Sequence, residues 1–276
     1  MKKLLLILLC LPLLFSSCKT KVDKENIVVK KNTLSEKNIK EKVKKITEKS
    51  FYVSTKFGEP IKDSVQFTNI YLFDENGFQT QLETINSLSY RKKMNYEEYE
   101  KHIFKYDTNK NCVLVQVYSI DNYLIRHEEN KYDKENNKIE INFYSLNKLQ
   151  AKHKMEYKYN KCRKIDRYNQ EGILKYRSEF IYDKKGRCVE DKCTIYGNVA
   201  KNSQINWKLI YDNNDNIIER NVYGENEWNY TTKSIFEYDN KGNWITETTF
   251  NNSKWDKRDK SNIISGYFER EIEYYK

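Results

Sequence analysis

The chain has little proline, little glycine and, past its first residues, no long apolar run. It holds two prolines and eight glycines among 276 residues, alongside abundant tyrosine. Such a composition does not match a disordered segment. No stretch beyond Phe15 approaches the about 20 apolar residues of a spanning helix, so the remainder is expected to be soluble. There is no glycine-rich phosphate loop, no GxSxG nucleophile turn, and no CxxC with partner ligands for zinc. His102, His127 and His153 are scattered among charged residues and read as surface side chains. Carboxylates are plentiful, but no pair stands out as acid and base. The sequence therefore nominates no catalytic residue, no cofactor site and no metal site.

What is abundant is aromatic and charged. Hydrophobic residues make up 38%, below the 45–50% of typical globular domains, yet there are 23 Tyr and 12 Phe. Tyrosine suits a half-wet sheet, because its ring packs while its hydroxyl reaches water. The net charge is +10, and losing Lys2 and Lys3 with a leader leaves +8. A basic balance can serve nucleic acid, anionic lipid or acidic glycan. Here the lysines are interleaved with Asp and Glu along the chain, as on solvated strand faces. The one dense stretch runs from Lys19 to Lys49.

The leader carries the address. Met1-Lys2-Lys3 precedes an apolar run from Leu4 through Phe15, the pattern of a secretory signal. Phe15-Ser16-Ser17-Cys18 then resembles the lipobox of bacterial lipoproteins, with Phe15 replacing the usual Leu. The resemblance implies cleavage before Cys18 and diacylation of its thiol. Several acyl chains, at about 0.8 kcal/mol per buried CH₂, anchor stably where one would not. Lys19 stands where an Asp would favour inner-membrane retention in that family, so the outer membrane is favoured if the host has one. The expected division is a signal peptide over 1–17, the lipidated Cys18 with a flexible tether over 18–41, and a β-repeat domain over 42–276. Thr33 with Glu36 could cap a short helix within the tether. Strand formers favour a strand from Val43 through Val53. An exported address argues against a nucleic-acid partner.

Past the tether the chain is governed by a repeat. Aromatic-Asp pairs recur at Phe73-Asp74, Tyr106-Asp107, Tyr132-Asp133, Tyr182-Asp183, Tyr211-Asp212 and Tyr238-Asp239, with Tyr159-Asn160 as a weaker copy. Asp opens a turn by accepting from backbone amides further on. Three residues later come Gly77, Gly186 and Gly242, where a type I turn with a G1 bulge needs positive φ. Lys110, Asn136 and Asp215 hold that place in the other copies. Asn and Asp tolerate it; lysine does so poorly, so the Lys110 turn is expected to differ. Strand-like segments flank each turn, among them Trp207–Tyr211 and Trp244–Phe250. Each unit is a β-hairpin continuing an antiparallel meander.

The Tyr-Asp-x-x-Gly core around Tyr182 and Tyr238 resembles the YD repeats of the Rhs family and of short repeat lipoproteins. The resemblance spans about Tyr71 to the end. It implies hairpin architecture and an extracytoplasmic setting, and it transfers no catalytic residue. Cys112, Cys162, Cys188 and Cys193 would remain after Cys18. Cys112 and Cys188 hold the same repeat place three units apart, nearly 30 Å in an open sheet, against about 7 Å for a disulfide. Free thiols are expected, with Cys162 and Cys193 the least excluded pair. Trp207, Trp228, Trp244 and Trp255 cluster in the last third and are expected to pack between hairpins, although exposed aromatics on a sheet can also stack on sugars.

The expected fold is all-β, an antiparallel meander of repeated hairpins forming a twisted or curled open sheet with roughly additive stability. The expected function is a membrane-anchored extracytoplasmic lipoprotein. It would act as a non-enzymatic binding or scaffolding module for an envelope protein or glycan. An envelope-polymer hydrolase or glycan-binding protein is the alternative.

Overall fold

The computed structural model describes residues 32–56, 59–197, 203–224, 227–253 and 263–276. Cys18, Trp255 and the leader lie outside them. A one-turn helix α1 (Thr33–Glu36) is followed by β1 (Val43–Lys56), β2 (Glu59–Phe73) and β3 (Gln79–Asn86). Helix α2 (Leu88–Met94) leads to β4 (Tyr99–Tyr106), β5 (Cys112–Tyr118), β6 (Leu124–Tyr132) and β7 (Lys138–Ser145). Then come β8 (Lys148–Lys158), β9 (Lys161–Asn169), β10 (Leu174–Tyr182) and β11 (Cys188–Ile195). The last are β12 (Ser203–Tyr211), β13 (Ile217–Gly224), β14 (Glu227–Tyr238), β15 (Trp244–Ser253) and β16 (Ile263–Tyr274).

Every strand pairs antiparallel with its chain neighbours, so the all-β meander of hairpins holds. The sheet is not open. β1 pairs with β16 as well as β2, and the 16 strands close a barrel. The closing seam sets Ile46 opposite Ile272, Glu48 opposite Arg270 and Ser50 opposite Phe268. Strand twist accumulates along a long meander until its two edges meet, and pairing them satisfies two rows of backbone donors and acceptors. Stability is therefore not a simple sum over neighbouring hairpins, because the last strand completes the first.

The turns follow their sequence closely. In all six Asp turns the Asp Oδ1 accepts the amide of the residue four further on, at 2.7–2.9 Å. The third residue after the Asp has φ between +62° and +87° in every copy. Lys110 is no exception: at φ +62° its amide bonds Asp107 O at 3.0 Å, as in the glycine copies. The weak copy does depart. Lys158 pairs with Lys161 across Tyr159 and Asn160, both at positive φ, so a two-residue turn replaces the longer one. Tyr157, opposite Cys162, takes the place of the motif tyrosine there.

Latches join most repeats to the one before. The Tyr106 hydroxyl donates to Gln79 O at 2.7 Å, Tyr132 to Cys112 O at 2.9 Å, Tyr182 to Cys162 O at 2.6 Å and Tyr211 to Cys188 O at 2.6 Å. Tyr238 and Tyr274 donate instead to the carboxylates of Asp212 and Asp239. The tyrosine of the motif thus ties neighbouring turns together around one mouth of the barrel. The four cysteines in the described residues are free thiols. Burial raises all four, Cys112 to about 11.

Candidate binding lumen

Strand residues alternate between two faces, and the register separates them. Tyr71, Ile46 and Ile272 stand on one face. Lys37, just past α1, sits with its ammonium 5.1 Å from the Tyr71 ring centre. That face is the interior. The other face carries ion-pair ladders: Lys45–Glu273, Lys49–Glu271, Lys131–Glu140, Lys164–Glu156 and Arg177–Asp166. Lys131, Glu156 and Glu271 there reach water, with side chains 63%, 67% and 77% exposed, whereas Asp166 is buried beneath Arg177. A barrel of 16 strands is too wide for opposing side chains to fill, so the interior is a lumen.

One mouth is plugged. Residues 32–42, all but the last assigned to the tether by sequence, cross the mouth formed by the Asp turns. The capping residue of α1 is Asn32, not Thr33: its Oδ1 accepts from the Ser35 amide at 2.9 Å. The Leu34 amide bonds Gly77 O at 3.1 Å and Thr33 Oγ1 accepts from the Gln79 amide. On the far side, Asn38 Nδ2 donates to Asn214 O, and Lys40 exchanges bonds with the Asn243 side chain. Leu34, Ile39, Val43, Ile46 and Phe73 form a buried cluster beneath these polar contacts.

Beneath the plug lies a cavity of about 480 Å³ between Lys37 and the walls of β12–β16, with Arg220, Phe236, Trp244 and Glu247 among its lining. The Arg270 guanidinium lies 3.3 Å from the Trp244 ring centre and pairs with Glu48 at 2.7 Å. Burial holds Lys37 below the usual lysine range, reinforced by the Arg270 charge. Burial likewise pushes Glu247 up, opposed by a bond from Ser234 Oγ at 2.8 Å. Tyr71 is pushed up to about 12, first by burial and then by Glu48.

Among the described residues, the opposite mouth carries no such plug. Near it, α2 folds beside the lumen face of β2–β4, and a cavity of about 530 Å³ lies between them. Phe67, Tyr90 and Tyr96 line one side in file, with successive ring centres 5.5 and 5.8 Å apart. The file has a local cause. Ser87 caps α2, Asn95 ends it in the left-handed conformation at φ +55°, and the chain turns back so that the Tyr96 amide bonds Arg91 O. On the other side Arg126 grips Glu100 through two bonds, at 2.8 and 2.5 Å, with His102 Nε2 3.3 Å away. These contacts hold the Glu100 carboxyl down at about 2, the His102 bond being the largest cause. Thr84 donates to Asn69 Oδ1 at 2.9 Å beside them.

Two of the histidines leave the surface: His102 serves Glu100, and His153 lies on the lumen wall against Phe143, whereas His127 stays on the outward face, stacked on Tyr144 at 4.6 Å. Burial and then Arg167 bring His153 down to about 4, leaving it neutral at pH 7. Trp207 and Trp244 line the lumen, and Trp228 donates to Thr231 Oγ1 at 2.9 Å. The sequence shows aromatic abundance but does not single out Tyr90 and Tyr96, whose only local signal is the Ser87 cap. No cluster of three or more metal-ligating side chains occurs among the described residues.

No family model matches the chain, and no curated protein matches it. Among solved structures it is similar to a porin-like protein from Bacteroides uniformis. That match has a TM-score of 0.53 and 10% identity, and it covers 84% of this chain and 96% of that one. A porin-like protein from Bacteroides vulgatus matches at TM-score 0.36 and 10% identity, over 84% and 98% of the two chains. A TcdB2-TccC3-Cdc42 structure matches at TM-score 0.31 and 9% identity, over 78% of this chain and 14% of that one. The first likeness establishes a shared fold: this chain is a closed antiparallel β-barrel similar in architecture to a porin-like protein.

Proposed function

We propose that the chain is a lipid-anchored extracytoplasmic lipoprotein whose barrel is a non-enzymatic binding module, taking an envelope protein or glycan through its lumen and open mouth. The observation that carries this reading is the sidedness of the wall. The outward face is laddered with Lys–Glu pairs, whereas aromatic rings and fixed polar groups face the lumen. A lysine or arginine on the lipid face of a barrel costs about 2–4 kcal/mol at the bilayer midplane. A wall so charged belongs in water, and attachment then falls to the lipid on Cys18. The outer membrane is favoured if the host has one.

Two experiments test the reading. Changing Cys18 to Ala should abolish incorporation of labelled fatty acid and move the protein from the membrane to the soluble fraction; retained membrane association refutes the anchor. Crosslinking in intact cells should capture the same envelope component from the wild type repeatedly.

Hydrolysis of an envelope polymer is the second reading, favoured by one observation. The cavity under the plug holds Glu247, raised by burial, near Glu48, which is paired with Arg270. A burial-raised acid near a carboxylate fixed by a guanidinium is an acid–base arrangement. Release of reducing ends from envelope polysaccharide that Glu247→Gln abolishes would establish it, and absence of turnover would dismiss it.

A further inference from the structure

We propose that the cavity beside α2 is a saccharide site that seats a neutral pyranose ring; this rests on the binding-barrel reading and gives it a ligand class. The cavity, at about 530 Å³, falls within the about 300–1,000 Å³ of small-molecule sites. Its two sides are chemically unlike. Phe67, Tyr90 and Tyr96 form an aromatic file whose outermost ring, Tyr96, remains 51% exposed. That ring is an apolar plate at the edge of the pocket, and the C–H face of a pyranose is a matching surface.

The opposing side is a fixed array of donors and acceptors. Arg126 and Glu100 are locked fork to fork, which sets a guanidinium edge beside a carboxylate edge. A donor edge next to an acceptor edge suits vicinal hydroxyls, each of which gives one hydrogen bond and accepts another. Asn69 and Asn86 add amides on neighbouring strands, and both are already oriented: Asn69 by Thr84, and Asn86 by a 2.7 Å bond to Glu97 O. Little side-chain entropy is then left to lose on binding. The pair also sets the charge. Arg126 is neutralised by Glu100, so no uncommitted cation waits for a uronate or phosphate. A flat base could stack on Tyr96 but brings fewer hydroxyl-type partners to the floor.

The test is calorimetric titration of the full chain in a zwitterionic, sugar-free detergent. The probes are chitotetraose, cellotetraose and mannotetraose, with tetragalacturonate as the anionic comparison. At least one neutral tetrasaccharide should bind, and tetragalacturonate should bind more weakly. Tyr96→Ala should weaken binding about tenfold, as loss of one stacked ring predicts, while Tyr96→Phe keeps it. Arg126→Gln should weaken it comparably, with the thermal unfolding midpoint of each variant showing that the barrel is intact. The proposal is overturned if no neutral tetrasaccharide binds, if tetragalacturonate binds as well or better, or if Tyr96→Ala leaves affinity unchanged. Membrane release of Cys18→Ala is read separately, so the anchor and the sugar site can fail independently.

Discussion

The two mouths of the barrel use related turns and finish them differently. At the plugged mouth, Asp turns are bonded to one another by tyrosine hydroxyls and spanned by residues 32–42. At the open mouth the same geometry recurs with other residues. Ser119 and Asn169 stand where Asp would, accepting from Tyr123 and Ile173. Yet the tips there carry exposed apolar groups: Ile120 at 62%, Tyr123 at 72% and Leu146 at 79%. Turn chemistry alone therefore does not set cohesion. What differs, among the described residues, is the second layer, the latches and the plug, which only one mouth shows. The sealed end holds the ring together, and the open end offers its side chains to contacts.

The sharpest way to break this contrast is just below the plug. Arg270→Ala strands the Glu48 carboxylate in the interior, and removal of one partner from a buried pair costs about 3 kcal/mol; urea unfolding should show it. Leu34→Ala removes the plug's main apolar seat and should cost about 2 kcal/mol. It should also speed hydrogen exchange at Leu34 and Ile39. Leu146→Ala at the open mouth, by comparison, should change stability by less than about 0.5 kcal/mol. If the two leucines behave alike, the plug is not a structural element. Tyr211→Phe deletes one latch bond to Cys188 O and should cost about 1 kcal/mol. Lys110→Gly relieves a lysine from φ +62° and should stabilise by about 0.5 kcal/mol, a gain reduced by the greater freedom of glycine when unfolded.

The smallest effect concerns acid at the open mouth. Glu100 is held down at about 2 from an ordinary 4.5 by His102 and Arg126. A lowered carboxyl stabilises the fold above its unfolded value, and the contribution drains away as pH falls from about 4.5 toward 2. Unfolding measured across that window should fall more steeply for the wild type than for Glu100→Gln. Parallel profiles would show that the Glu100–Arg126 grip is absent in solution.

Much of the barrel is legible in sequence because its rules are local. Asp212 and Asp215 stand three residues apart, and their spacing predicts both the turn and its positive φ. Closure is not legible. It depends on β1 meeting β16, with Glu48 opposite Arg270 across 222 residues, and on twist summed over every strand. No window of sequence contains either. The plug is missed for a related reason: residues 32–42 are polar, and only Leu34 and Ile39 mark them as seated. Arg126 and Glu100 are 26 residues apart, joined because β4, β5 and β6 lie side by side. His102 and His153 misled because the lysines beside them in sequence, Lys101, Lys152 and Lys154, face the opposite side of the wall.

The seam carries a rule of parity. β1 and β16 can close antiparallel only because the strand count is even. An odd count would bring the two edges together running the same way, with the wrong hydrogen-bond spacing. A hairpin is two strands, so gain or loss of whole tyrosine-aspartate units changes the girth of the ring and leaves its seam intact. A chain built this way can be resized by duplication, in steps of about 10 Å of circumference, without inventing a new closure.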